Sequence, residues 1–293
     1  MKTASMCTLR SLCAPRLCRF LTRLVLGSWL MLAVGPTHAL ALEPAKADDP
    51  IEIQADQGIE WRREDKIVFA RGNARAVRGD LTVEARVLSA RYRERADGTT
   101  EIWEVNADGD VRIASAAETL AGDRATFDLA NSVLLLTGDR LRLESGDSVI
   151  TAEESMEYAT RARTLVATGN VHARQGEREV RAKRLKAFLR PANQAAAQNA
   201  TGGSSRLRRI EAEGNVRIVT PNDVMRSDQA VYDLDAGVAQ LTGAVKITRG
   251  ETQLNGCTGE MDLKTGVSRL LACGGTANTG RVHGLIAPGA IKK

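Results

Sequence analysis

The segment that most limits how this chain can fold is Ile210-Glu-Ala-Glu-Gly-Asn-Val-Arg-Ile218, because variants of it keep returning. Ile210, Ala212, Gly214, Val216 and Ile218 take every second place, with Glu211, Glu213, Asn215 and Arg217 between them. A period of two with one apolar face is a β-strand half in water. A glycine in mid-strand weakens it and marks a sharp bend or a close approach to the backbone. The phrase recurs around Gly72, Gly109, Gly169 and Gly243, and in degenerate form around Gly138 and Gly274. These seven glycines step by 37, 29, 31, 45, 29 and 31 residues, so a repeat governs the fold.

Turn signals punctuate the repeat. Arg78-Gly-Asp80, Ser145-Gly-Asp147, Gln175-Gly-Glu177, Pro221-Asn-Asp223 and Arg249-Gly-Glu251 follow their corners by about seven residues and read as hairpin turns. A second strand follows each, and a second turn leads to the next corner. Tight turns at both ends make neighbouring strands antiparallel. If each hairpin is symmetric about its centre, Arg86 lies opposite Asp108, Lys183 opposite Glu213 and Cys257 opposite Cys273. After Gly138 the apolar residues Leu141 and Leu143 come one place late, as a β-bulge would produce. The 45-residue step holds a low-complexity insertion over 191–205, placed at a hairpin tip.

Seven corner strands, six between them and an opening strand, Ile51 to Glu60, make about fourteen. The expected fold is all-β: an elongated antiparallel sheet folded lengthwise at the glycines, its apolar faces lining a trough. At ~4.8 Å per strand the sheet is about 65 Å long. The inward set includes Val111, Ile113, Phe127, Leu165, Val171, Ile210, Val216, Ile218, Tyr232, Leu241, Val245, Ile247 and Met261. Two edges stay open, and the opening one, with Ile51, Ile53 and Ala55, alternates cleanly enough to pair with a partner strand. The alternative is that Leu42 to Pro50 and the tail after Gly274 fold over the edges and cap them.

Lys2, Arg10, Arg16, Arg19 and Arg23, the apolar run Leu24 to Val34, and Ala39-Leu-Ala41 read as a secretory signal peptide over 1–41. An uncleaved N-terminal anchor is the other reading. The mature β-domain covers 42–275, and 276–293 reads as a loose tail. The chain has 41 basic and 36 acidic residues; without the five basic ones in the signal the balance is 36 against 36. The whole-chain pI is therefore no argument for nucleic acid or an anionic membrane. Cys7, Cys13 and Cys18 leave with the signal. Cys257 and Cys273 remain, in a compartment that permits disulfides, and are expected to pair rather than stay as two thiols.

No catalytic constellation, metal-ligand spacing or cofactor motif stands out, which points away from an enzyme. Only His172 and His283 follow the signal, and the few aromatics form no stacking ladder for nucleic acid. What remains is the inner face. Many of its slots hold only Ala, Ser or Gly, where a close-packed core wants interdigitated large side chains. Such a trough leaves room for an apolar guest, and each methylene taken from water contributes ~0.8 kcal/mol. A packed, ligand-free structural or adhesive β-solenoid is the competing reading.

Asp49-Pro-Ile-Glu-Ile-Gln-Ala-Asp56, Lys66-Ile-Val-Phe-Ala-Arg-Gly-Asn73 and the recurrent Gly-[Asn/Asp]-Val at Gly109, Gly169 and Gly214 resemble the LptA/OstA family. The resemblance runs from about Ile51 to Gly274, longer than single LptA domains usually are. It implies a periplasmic β-jellyroll of the lipopolysaccharide transport bridge. The interior would carry lipid A acyl chains, and the ends would stack on like domains such as those of LptC and LptD, or on a second copy. A cleaved signal argues against LptC itself, and the lack of a long C-terminal barrel against LptD.

Overall fold

The computed structural model describes residues 50–116, 118–190, 207–262, 264–265, 267–272 and 281–285. The signal, the 191–205 insertion, Cys273, Gly274 and the end of the tail lie outside them. Every described residue belongs to one compact unit.

The described residues form one antiparallel sheet of eighteen strand segments. It opens with β1 (Glu52–Gln54) and β2 (Ile59–Arg62), both paired to β3 (Ile67–Arg78). The meander continues through β4 (Leu81–Glu94), β5 (Thr100–Ala114) and β6 (Glu118–Asp128). Two interrupted rungs follow, β7 (Val133–Thr137) with β8 (Leu141–Ser145), then β9 (Ser148–Ala152) with β10 (Ser155–Ala159). Next come β11 (Thr164–Gln175), β12 (Arg178–Leu189), β13 (Leu207–Val219), β14 (Val224–Asp233), β15 (Val238–Arg249) and β16 (Thr252–Asp262). A last interrupted rung, β17 (Ser268–Leu271) and β18 (His283–Leu285), pairs with β16. Four rungs are thus split in two, and the eighteen segments make the fourteen rungs expected. Part of the stretch expected as a loose tail, His283–Leu285, is a paired strand.

The crease that folds the sheet lengthwise lies on the corner glycines. At Gly72/Asn73, Gly109/Asp110, Gly169/Asn170, Gly214/Asn215 and Gly243/Ala244 two consecutive residues take positive φ, between 42° and 87°. Glycine enters this region freely, and Asn and Asp more easily than other residues, which explains the recurrent Gly-[Asn/Asp] pair. Each pair is a bulge. Gly72 and Asn73 oppose Arg86 alone, since Arg71 pairs Val87 and Ala74 pairs Ala85. The two halves of the sheet then close on each other: a Cβ on Gly122 would strike both Leu136, before the crease, and Leu141, after it.

These bulges correct the expected register. At the tip of the β4–β5 hairpin Glu94 pairs Thr100, as the symmetric count requires, but slips accumulate toward the crease and bring Val87, not Arg86, opposite Asp108. Likewise Leu189 pairs Leu207 at its tip, while Arg184, not Lys183, faces Glu213. In the last hairpin Thr258 pairs Leu271, one residue out of step with the expected centre. The count assumed unbroken ladders. Arg86 and Lys183 instead lie over Gly109 and Gly214, close enough that a Cβ there would collide with them.

A larger repeat contains the corner-to-corner one. Rungs one to six reappear as rungs seven to twelve, down to single hydrogen bonds. The Asp56 N–H donates to the Gly72 carbonyl at 2.8 Å, and the Glu153 N–H to that of Gly169 at 2.8 Å. Asn73 Nδ2 donates to Asp56, and Asn170 Nδ2 to Glu153. Lys66 and Arg163 share a φ of 52°. Thr220 and Asp223 repeat the turn bonds of Ser115 and Glu118. The row beside the crease shows it best. Ala70, Leu88, Ala107, Ala125 and Leu136 pair in sequence across β3 to β7; then, after Met156, Ala167, Leu185, Ala212, Ala230 and Leu241 do the same. The described residues make two six-rung modules followed by two further rungs, β16 and the interrupted β17/β18.

The crease is the most sensitive backbone position. Gly169 sits at φ +87°, and a Cβ there would lie 2.6 Å from Glu154 Cγ and 2.8 Å from its backbone N; the turn glycine Gly146, at φ +57°, has open space around it. We expect Gly146→Ala to cost about 1–2 kcal/mol through left-handed strain alone, and Gly169→Ala clearly more. Chemical denaturation of both variants checks this, and equal losses would contradict the crease geometry.

Candidate lipid-binding interior

Four unbroken rows of inward side chains run the length of the sheet, two on each side of the crease. All thirteen residues expected inside lie on them. Val111, Val171, Val216 and Val245 occupy one row at the crease and Leu241 the other, each at 1–2% exposure. Phe127, Leu165, Ile210, Tyr232 and Met261 stand on the outer row before the crease, paired in order through their neighbours. Ile113, Ile218 and Ile247 stand on the outer row after it. The set omitted Leu136, Leu141 and Met156, which are among the largest fully buried side chains. They lie in the interrupted rungs β7, β8 and β10, where alternation is hardest to read from the chain.

The rows divide the interior by size and access. Beside the crease the side chains are largely Ala, Val and Leu and are fully buried. On the outer rows bulky side chains outnumber alanines; some, such as Leu120, Leu134, Leu165, Met225 and Met261, are buried, and others remain in part accessible. Phe127, Tyr158, Ile210 and Tyr232 are half-buried on one lip, and Ile53, Val83, Ile150, Val180 and Ile218 on the other. The interior forms two apolar clusters that meet at Val180, which packs against both. The lip row before the crease passes without a break from Leu134 of the first module to Tyr158 and Leu165 of the second. An apolar surface continuous from end to end is what the arrangement offers chemically.

One polar atom interrupts it. Ser227 is 5% exposed, lies on the crease between Val216 and Val245, and its Oγ has no hydrogen-bond partner. The first module has Gly122 in that slot. An unmatched hydroxyl in an apolar crease costs about 1–3 kcal/mol.

Most charge lies outside; of the described acids Glu118 and Asp223 are buried, and Asp223 accepts hydrogen bonds from Arg249. Glu101 is pulled down to about 2 by its hydrogen bonds from Arg95 and then Arg93. Asp128, Asp233 and Asp262 are held low by backbone N–H groups of their own turns, from Asn131, Ala236 and Thr265 respectively. These are surface ion pairs and turn caps, not tuned acids in a cleft. Among the described residues no three His, Cys, Asp or Glu side chains converge as a metal site, and no helix is long and apolar enough to cross a membrane. On the opening rung Ile53 and Ala55 pack onto the first apolar cluster, whereas Ile51 is exposed.

Comparison with known proteins fits this division. The family described as LptA/(LptD N-terminal domain) LPS transport protein matches the chain twice, over residues 52–161 and 150–267, so 216 of the 293 residues are covered. The two matches overlap on β9 and β10, the rung at which the second module begins. An uncharacterized protein of Rhizobium meliloti (strain 1021) is 26% identical over 106 residues, 35% of this chain, and the match spans 56% of that protein's length. The crystal structure of LptH, the LptA homologous periplasmic component of the conserved lipopolysaccharide transport device from Pseudomonas aeruginosa, is 15% identical. It has a TM-score of 0.37 over 43% of this chain and 87% of that one.

Proposed function

Because the chain belongs to the LptA/LptD N-terminal family of lipopolysaccharide transport proteins, we propose that it is a double-length periplasmic carrier. It holds lipid A acyl chains of lipopolysaccharide along its apolar interior on their way toward the outer membrane. The observation that carries this is the outer apolar row that continues through the join between modules at Leu134, Tyr158 and Leu165, with half-buried side chains such as Phe127, Tyr158, Ile210 and Tyr232 along it. Alanine and valine take many of the positions at the crease, and the aromatic side chains Phe127, Tyr158 and Tyr232 stand half-buried where a guest would meet them. At ~0.8 kcal/mol per methylene, a chain of a dozen carbons lying on such a surface is held by several kcal/mol even after ordering costs.

The ends are proposed as docking edges for like domains of the LptC and LptD kind or for a second copy. Of the eight exposed large apolar side chains among the described residues, seven sit on or beside the terminal rungs: Ile51, Ile59 and Trp61 at one end, Val267, Leu271, Val282 and Leu285 at the other. The internal join supports the reading. Ile59 and Trp61, 53% and 60% exposed, correspond to Met156 and Tyr158 in the second module. There Met156 is 1% exposed because β7 pairs over that rung through Leu136 and Leu134. Corner-bearing and intervening rungs alternate, and fourteen is an even number, so a copy added at the end continues the alternation. Cys257 and Cys273 are proposed as a disulfide that staples the closing hairpin; Cys257 is half-buried on β16 beside Thr258, whose partner Leu271 is two residues from Cys273.

Mass spectrometry of the purified protein is expected to find co-purified lipopolysaccharide. Ile218→Asp, on a lip, should fold yet lose it, while the outward Gln240→Asp should keep it. Val245→Asp, deep in the crease, should instead unfold the protein, since burying a charge costs several kcal/mol. Wild-type lipid levels in Ile218→Asp would end the carrier reading. Light scattering over a concentration series should show growing assemblies, reduced by Ile53→Pro, which removes a donor from the opening edge; a strict monomer in both excludes self-association. Thiol titration of unreduced mature protein should find no free cysteine, and two thiols would refute the staple.

A further inference from the structure

The register brings together a set of charges that are scattered in the sequence. On the outer wall after the crease, His172, Arg181, Arg217, Arg226 and Lys246 stand directly opposite one another on five consecutive rungs, β11 to β15. Side chains so paired have Cβ atoms about 4.5–5.5 Å apart, and like charges in that position repel. Glu179 compensates one end, lying 2.5 Å from Arg181 and 3.2 Å from His172. No ion pair compensates Arg217, Arg226 or Lys246 among the described residues, and Arg217 Nε is buried without a hydrogen-bond partner. On the crease side the neighbouring outward residues are Lys183, Asn215, Asp228 and Ala244, and the one carboxylate among them lies over Gly243.

The first module serves as an internal control. Its corresponding row reads Arg75, Glu84, Arg112, Ala121 and Arg142. There Arg75 pairs Glu84 at 3.4 Å, Arg142 pairs Glu144, and an alanine separates the last two cations. The same fold therefore does not need a cation on every rung.

We infer that the outer wall of the second module is a docking strip for an anionic lipid bilayer, held by headgroup phosphates. Three features favour this occupant. The strip lies on one outward face of the sheet, and its three cations without an ion pair among the described residues sit on successive rungs, more than one small phosphate can satisfy. A charged plane engages them all at once, with about 1 kcal/mol for each Lys or Arg near the surface. Moreover, none of the exposed large apolar side chains lies on the strip, whereas protein interfaces draw on such anchors. Attraction by charge alone is what an anionic headgroup layer supplies.

The test is flotation of the full mature chain with vesicles of phosphatidylcholine, with and without phosphatidylglycerol, at low and physiological salt. Wild type should prefer the phosphatidylglycerol vesicles, and salt should weaken that preference. The triple variant Arg217→Gln, Arg226→Gln, Lys246→Gln should lose about a hundredfold in partitioning. Arg112→Gln with Arg142→Gln in the first module should leave it unchanged. Thermal unfolding of the triple variant should be unaltered or raised, because like-charge repulsion has been relieved. Equal partitioning of wild type and triple variant overturns the proposal. So does binding of inorganic phosphate with no vesicle preference, which makes the strip a free-anion site. Charge-dependent capture by polyglutamate with no vesicle binding also overturns it, and assigns the strip to an acidic protein.

Discussion

Everything in this molecule hangs on a conformation that most amino acids avoid. Twelve-residue strands cross the sheet without ending, yet the sheet folds back on itself halfway along each of them. Two successive left-handed residues make that possible, and they do so while the ladder of hydrogen bonds continues on both sides. The extra residue of each bulge turns the second half of the strand without exchanging its inward and outward faces. Without the crease, the four inner rows would be one face of a flat, open sheet, exposed to water and free to aggregate.

The crease also settles what kind of interior forms. Where the two halves converge Ala, Val and Leu predominate, and away from the ends of the sheet they are buried. Farther out some of the bulkier side chains, Phe127, Tyr158, Ile210, Ile218 and Tyr232 among them, stay half-covered. Such access recurs at several rungs of the described sheet. It follows from backbone geometry and the length of the half-strands, not from any single residue. Among the described residues the apolar interior has no single centre; its surface is spread along the rungs.

Much of this is legible in the chain. Strict alternation fixes which residues face inward, so all thirteen interior positions fall where expected, and Gly-[Asn/Asp] marks the crease because few other pairs tolerate it. Register is less legible. A bulge adds one residue to one strand and leaves alternation intact on either side, so Arg86 and Lys183 miss their expected partners by one place although the hairpin tips are right. The six-rung module is hidden because its identity lies in paired rows such as Ala-Leu-Ala-Ala-Leu, whose members are some twenty residues apart in sequence. The cation strip is hidden for the same reason. Arg181, Arg217, Arg226 and Lys246 are unremarked surface residues in a chain with balanced charge until the pairing sets them side by side.

The covalent join between the modules sets them apart from separate domains. Two separate domains meeting edge to edge are in equilibrium with their free forms, and dilution, salt or a competing strand can part them. Here β7 and β8 close one module and β9 and β10 open the next within a single polypeptide, so that contact has no dissociation constant at all. Its strength is the local unfolding free energy of the sheet, independent of concentration. A path assembled from such chains has only half its seams exposed to exchange, and the reliability of the whole rests on the terminal rungs alone.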